Sequence, residues 1–266
     1  MPETNFDDKF IEQLIRDIIR YENDPSTWGE TIWQGEIDLF SIWEWAESQD
    51  RTDLMSVIAT NVIGRVLTET RFLSEKENAL QFWSSKIEHL AKEAQEDKKT
   101  ELEARFLEAW LYSSQPGDKT LEVIDRVISL YRQLNRVEKT AYFLCQRSTE
   151  LNSLLVRGKL QSDEHEIWKS LIEAYTLSKS VNYYKGIALA LFGLGHYLGR
   201  KHKDNLALRL LHQADWYSKK ARTVYGIAII EELRKIRDRS DISNESYQLE
   251  TDPDLLIEEF IKEIMR

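Results

Sequence analysis

The sequence has few of the residues that interrupt helices and almost none that cross-link chains. Its 266 residues include one cysteine, four prolines and ten glycines. Cys145 alone cannot form an intramolecular disulfide, which favours a reducing cytoplasm as the location. Scarce proline and glycine favour long helices over strands. A chain of this length buries a sizeable core without cross-links.

Long apolar runs and a basic leader are absent as well. The most apolar stretch, KGIALALFGLGHYLG at 185–199, is shorter than the roughly 18–20 residues that a bilayer requires. The chain opens with acidic residues where a signal peptide would be basic. We therefore expect a cytoplasmic protein that neither spans nor binds a membrane.

Charge is distributed unevenly along the chain, whose net charge is −10. Residues 1–50 carry 13 acidic and 3 basic side chains, 199–239 carry 5 and 11, and 240–266 carry 8 and 2. The acidic excess argues against nucleic acid as a partner. The opposite charges permit the acidic tail to fold onto the basic segment of its own chain, or head-to-tail docking into a homo-oligomer.

Apolar residues recur with a helical period nearly everywhere, and no stretch alternates as a strand would. The pattern predicts about twelve helices with short loops between them. Their approximate ranges are 10–21, 36–49, 52–69, 74–95, 99–113, 118–134, 136–157, 161–179, 183–199, 203–219, 222–238 and 253–265.

A repeat is visible when residues 171–188 are set over 211–228. Seven of the eighteen positions are identical, where unrelated sequence would give about one. A period near 40 residues in a helical chain predicts stacked helical hairpins. The identical pairs are Leu171/Leu211, Ala174/Ala214, Ser178/Ser218, Lys179/Lys219, Gly186/Gly226, Ile187/Ile227 and Ala188/Ala228.

Two short runs in this region resemble the tetratricopeptide repeat signature. They are Leu191, Leu194 and Gly195, then Ala207, Leu211 and Ala214. In such repeats small residues let two antiparallel helices approach closely. The resemblance is clearest over 161–240 and implies an all-α, right-handed α-solenoid of about five hairpins. We expect an acidic, Trp-rich helical layer at 1–50, repeats at 51–240, and a linker with a capping helix at 241–266.

No pattern in the sequence predicts catalysis. Cys145 lies among apolar helical residues, and a buried, inert thiol is the expectation. The histidines form no metal-ligand spacing, although His196 and His212 fall on the two helices of one predicted hairpin. The glycines of 185–199 lack the spacing of a phosphate loop. We expect no catalytic residues, no metal and no cofactor, and hence no enzyme.

The predicted function is a protein-interaction module, either an adaptor or a regulatory subunit, that binds a protein or acidic peptide in a concave groove. The resemblance implies that the first helix of each hairpin lines this groove. An alternative is a sensor whose solenoid changes curvature when it binds a ligand or peptide. The candidate groove residues are Asn61, Arg65, Arg105, Tyr142, Arg147, Phe192, His196 and Arg200.

Two further clusters are candidates for recognition. The aromatic patch consists of Trp28, Trp33, Trp43 and Trp45, and packing within an irregular N-terminal layer is its alternative role. The basic patch either contacts an acidic peptide or is a solvated face. Its residues are Lys201, Lys203, Lys219, Lys220 and Arg222.

Overall fold

The computed structural model describes Gln13 and residues 39–60, 73–113, 118–159, 164–223, 225–240 and 252–265. In these ranges the regular secondary structure is entirely helical, and eleven helices pack in sequential pairs. They are α1 Leu39–Ser48, α2 Thr52–Ile58, α3 Leu73–Glu96, α4 Thr100–Ser113, α5 Asp118–Gln133, α6 Val137–Val156, α7 His165–Ser180, α8 Tyr184–Arg200, α9 Asp204–Lys220, α10 Gly226–Arg239 and α11 Pro253–Ile264.

The all-α prediction is confirmed for the described residues, and most helix ends lie within a few residues of their expected positions. The predicted helix at 10–21 lies outside the described residues, apart from Gln13. The predicted continuation of α2 through residues 61–69 lies outside them too. None of the described helices is long and apolar enough to cross a membrane.

Six of the links between helices, those that the structure describes in full or nearly so, share one turn geometry. At the end of α7 the N–H of Asn182 donates to the Lys179 carbonyl, and the N–H of Tyr183 donates to the Ser178 carbonyl at 2.8 Å. This pair of bonds is a Schellman ending, which requires positive φ at the first of its two donors. Arg222 has the same turn 40 residues later, at the position that aligns with Asn182 in the sequence repeat. The non-glycine residues with positive φ are Asp50, Lys98, Asn135, Asn182, His202 and Arg222.

The chain divides into two compact units, residues 1–123 and residues 124–266. In the first unit α1 packs on α2, α3 on α4, and α2 on α4. Their shared core contains Trp43, Ile58, Ile87 and Phe106, each at most 1% exposed. The predicted division of the chain at residues 50 and 240 stays a prediction.

In the second unit α8 is surrounded by other helices. It packs on α9 most extensively and also contacts α6, α7 and α10. A side chain at Gly195 would meet the Leu211 side chain and the Ala207 carbonyl, and one at Gly193 would meet Leu171. The uncharged run at 186–199 is therefore apolar because α8 is buried on several sides, as its composition predicted.

The last helix, α11, is capped at its start by Asp252. The Asp252 carboxylate accepts a hydrogen bond from the backbone N–H of Asp254 at 3.0 Å, and Pro253 occupies the first turn. α11 packs against α9 and lays Phe260 beside aromatic rings of α7 and α8. The acidic tail thus folds onto its own unit.

Candidate interaction site

One row of side chains on α8 is partly exposed although most of the helix is buried. The row, called here the α8 stripe, consists of Lys185, Leu189, Phe192, His196 and Arg200. Steps of three and four residues place all five on one face of the helix. Of the other large side chains of α8, Tyr184 and Tyr197 are partly exposed. The aliphatic ones lie inside the unit, with Ile187, Leu191, Leu194 and Leu198 at most 3% exposed.

The N-terminal end of the stripe lies between aromatic rings of two other helices. The Lys185 ammonium is 5.4 Å from the ring centroid of Tyr142 on α6 and 5.8 Å from that of Tyr225, which precedes α10. Both distances are within the range of cation–π attraction. Lys185 therefore spans the face shared by α6, α8 and the start of α10.

The C-terminal end of the stripe also reaches both flanking helices. His196 Nδ1 lies 3.1 Å from Glu232 Oε1 on α10, and the His196 ring centroid is 6.2 Å from that of Phe192. The Arg200 guanidinium donates to the side-chain oxygen of Asn152 on α6. The stripe is thus a row of cationic and aromatic side chains along the α6–α8–α10 face.

The structure brings four of the eight predicted groove residues together: Tyr142, Phe192, His196 and Arg200. Arg147 points elsewhere and holds α5, α6 and α7 together. Its guanidinium donates to the carboxylates of Asp125 (2.7 Å) and Glu166 (3.2 Å) and to the Ser170 hydroxyl (2.9 Å). These partners satisfy most of its donors, so Arg147 is placed as an internal ion-pair residue.

The other predicted groove residues are not on this face. Arg105 belongs to the first unit, where its guanidinium pairs with Glu101 at 3.0 Å and its carbonyl accepts from the Thr60 hydroxyl at 3.3 Å. Asn61 and Arg65 lie outside the described residues.

Of the predicted aromatic patch, only Trp43 and Trp45 fall within the described residues, while Trp28 and Trp33 fall outside them. Trp43 is 1% exposed in the core of the first unit, and Trp45 is half-buried against the same core. The Lys86 ammonium lies 5.7 Å from the Trp43 ring centroid. These two rings contribute packing, which was the alternative role for the patch.

The predicted basic patch is divided between the two ends of α9. Lys203 precedes the helix and pairs with Glu263 of α11 at 2.6 Å, and Lys201 pairs with Glu164 at 2.7 Å. Lys219 and Lys220 lie at the other end, about 25 Å away by helical rise. Exposed Arg222 follows in the turn.

At the C-terminal end of α9 the basic side chains have partners within the same unit. The Lys219 ammonium pairs with Asp215 at 2.5 Å. The Lys220 ammonium lies 4.1 Å from the Tyr184 ring centroid and 4.9 Å from that of Trp216. Trp216 is 48% exposed, so this cluster is open to solvent on one side.

The two histidines of the α8–α9 hairpin have different partners. His196 faces Glu232, whereas His212 Nε2 lies 2.8 Å from Arg237 Nη2 and accepts its hydrogen bond. Burial, with the nearby Arg237 charge, lowers the pKa of His212. Both rings therefore interact with α10.

Cys145 is buried, as the sequence predicted. Burial raises the pKa of its thiol to about 12, so the reactive thiolate is rare at neutral pH. Within the described ranges, no three His, Cys, Asp or Glu side chains gather as a metal site would require.

Sequence reasoning missed the residues that dock α11. Tyr175 and Asp254 are 79 positions apart, and their hydroxyl and carboxylate oxygens lie 2.6 Å apart. The available signal was the contrast in charge between the basic segment and the acidic tail.

Comparisons of the chain with protein-family models, with curated proteins and with solved structures give no match.

Proposed function

We propose that this chain is a non-catalytic interaction module that binds a protein or acidic peptide along the α8 stripe. In this proposal the second unit is part of a right-handed, tetratricopeptide-like solenoid. The supporting observation is that α8 contacts both α6 and α10 directly, while α7 and α9 alternate with these three helices along the chain. By the resemblance, α6, α8 and α10 are then the first helices of successive hairpins, whose face lines the groove.

The chemistry of the stripe indicates what the partner must provide. Phe192 and Leu189 offer partly exposed apolar surface, and Lys185 and Arg200 offer cations on either side of it. A segment with one buried apolar anchor between acidic residues complements this order of side chains. The observation that carries the proposal is that the stripe is partly exposed along the length of a helix whose other aliphatic side chains are buried.

The proposal is tested by selecting peptides from a random displayed library against the full chain. Binding of the selected peptides is then measured by fluorescence anisotropy with Phe192→Ala and Arg200→Glu. We expect each substitution to weaken binding at least tenfold, as central interface residues do. Lys169→Glu on α7, whose side chain is 60% exposed, is the matched control and leaves binding unchanged. Peptides that bind the unaltered chain and all three variants with equal affinity would contradict the proposal.

A sensor is the second candidate, because stripe side chains connect neighbouring helices. A ligand that displaced the Lys185 ammonium from Tyr142 and Tyr225, or His196 from Glu232, would alter the contacts between α6, α8 and α10. We propose that such a ligand changes the curvature of the solenoid. Small-angle scattering with and without a selected peptide tests this, and identical curves would contradict it.

A further inference from the structure

α11 occupies a groove formed chiefly by α7 and α9. Its side chains Leu256 and Phe260 are fully buried, and Ile257 is 7% exposed. The Phe260 ring centroid is 6.3 Å from that of Trp168 on α7 and 6.2 Å from that of Tyr197 on α8. Burial of this apolar face supplies most of the attraction.

Charged contacts fix the position of α11 along the groove. Asp254 accepts hydrogen bonds from the Tyr175 hydroxyl at 2.6 Å and from the Lys179 ammonium. These two donors lower the pKa of the Asp254 carboxyl. Further along, Glu259 pairs with Arg209 at 2.7 Å and Glu263 pairs with Lys203 at 2.6 Å.

The groove and its occupant have complementary charge along three turns of helix. Residues 252–265 carry five acidic side chains and one lysine. The groove side carries a cation opposite each of Asp254, Glu259 and Glu263. Pairs as exposed as these contribute little energy individually, but they reject helices of the wrong charge or register.

The contacts that build the groove do not depend on α11. α8 packs on both α7 and α9 through apolar faces, with Leu171 against Gly193 and Leu211 against Gly195. The groove side chains that touch α11 are Trp168, Tyr175, Lys179, Tyr197, Lys203 and Arg209. They project from helices already fixed by the rest of the unit.

We propose that the α7–α9 groove is a docking site for an acidic amphipathic helix of a partner protein, and that α11 is the chain's own occupant of that site. The recognised pattern begins with an acidic residue. Counted from that residue, apolar residues follow two and three positions later, an acidic residue five later, an aromatic residue six later and an acidic residue nine later. In α11 these are Asp254, Leu256, Ile257, Glu259, Phe260 and Glu263. This surface is separate from the α8 stripe, so the failure of one proposal, partner binding at the stripe or helix docking in the groove, leaves the other unaffected.

Because α11 is tethered, a partner helix competes against an effective concentration in the millimolar range. A free helix of similar affinity therefore gains little access to the native chain. A substitution that weakens α11 without touching the groove opens the site. Phe260→Ala is that substitution, since it removes the most deeply buried ring of α11 and leaves every groove residue in place.

The experiment uses the full chain and a fluorescein-labelled peptide with the sequence of residues 252–265. We expect anisotropy to show binding to Phe260→Ala that is at least tenfold tighter than to the unaltered chain. Adding Arg209→Glu to that variant should weaken peptide binding at least threefold. A peptide carrying Glu259→Arg should then bind the Arg209→Glu variant better than the unaltered peptide does.

Two controls separate groove binding from damage to the fold. Arg234→Glu, on the exposed side of α10, should leave peptide binding unchanged. Far-UV circular dichroism checks that Phe260→Ala keeps its helix content. If Phe260→Ala loses helix content, the double variant Lys203→Glu with Arg209→Glu replaces it, because it weakens the docking of α11 without changing any buried side chain. A peptide with Glu259→Arg and Glu263→Arg is then expected to bind this double variant.

Failure of the peptides to bind either variant would overturn the proposal. Equal binding of the unaltered and Glu259→Arg peptides to the Arg209→Glu variant would overturn it as well. Concentration-dependent dimerisation of the unaltered chain that Arg209→Glu abolishes would show exchange of α11 between two copies. That result would overturn the assignment to a partner protein.

Discussion

The close approach of α8 and α9 predicts how three glycine-to-alanine substitutions rank. A Cβ at Gly195 would lie 2.8 Å from Leu211 Cγ and 3.2 Å from the Ala207 carbonyl oxygen. A Cβ at Gly193 would lie 2.7 Å from Leu171 Cδ2, the end of a flexible side chain. At Gly226 the nearest atom, the Ser218 hydroxyl oxygen, is 3.7 Å away.

Two opposing effects set the magnitude at each site. Alanine favours the helical state over glycine by about 1 kcal/mol in a helix interior, whereas overpacking costs about 1–3 kcal/mol. Gly195 faces a branched carbon and the backbone, neither of which moves freely, so Gly195→Ala should lower the free energy of unfolding by about 1–2 kcal/mol. Gly193→Ala should cost about 0–1 kcal/mol, and Gly226→Ala should be neutral or stabilising by up to about 1 kcal/mol.

Urea unfolding followed by circular dichroism measures this ranking. With a slope of about 2 kcal/mol per molar urea, Gly195→Ala should move the midpoint of the second unit down by about 0.5–1 M. Gly226→Ala is the matched control because it adds the same methyl group to α10. A midpoint for Gly195→Ala at or above that of Gly226→Ala would refute the close packing of α8 on α9.

Three further predictions concern single side chains of the second unit. Because the pKa of His212 is lowered in the folded state, the unfolded chain takes up a proton first as pH falls below about 6.5. The free energy of unfolding should therefore decrease as the pH is lowered, and it should decrease less steeply in His212→Gln. Equal slopes would contradict the burial of His212. Cys145 should react with a thiol reagent far more slowly in the folded chain than in urea, and equal rates would contradict its burial. Asp252→Ala should destabilise α11 by about 1 kcal/mol, seen as faster amide exchange in α11 alone.

Much of the helical organisation was predictable because apolar periodicity records which face of a helix is buried. The bounds of α6 through α10 follow from that pattern within a few residues. The turns were harder to anticipate. Lys98, His202 and Arg222 take positive φ where glycine is usual, so no residue type marked these Schellman endings in advance.

The candidate site was predictable only where helix phase was known. Tyr142 and Arg147 are five residues apart, which separates them by about 140° around the helix. They therefore face different neighbours, Lys185 and Asp125 respectively. The stripe of α8 was identified in part because Phe192, His196 and Arg200 follow helical spacing. The site of α11 depends on contacts between residues 50 or more apart, which no local pattern contains.

The proposed function requires that the α8 stripe contacts a partner. The most direct test places a photo-crosslinking amino acid at position 192 of the full chain, and at position 169 in a matched variant. Each is irradiated with a peptide selected by the unaltered protein. We expect a crosslinked product from position 192 and none from position 169. A product from position 169 alone, or equal yields from both positions, would contradict it.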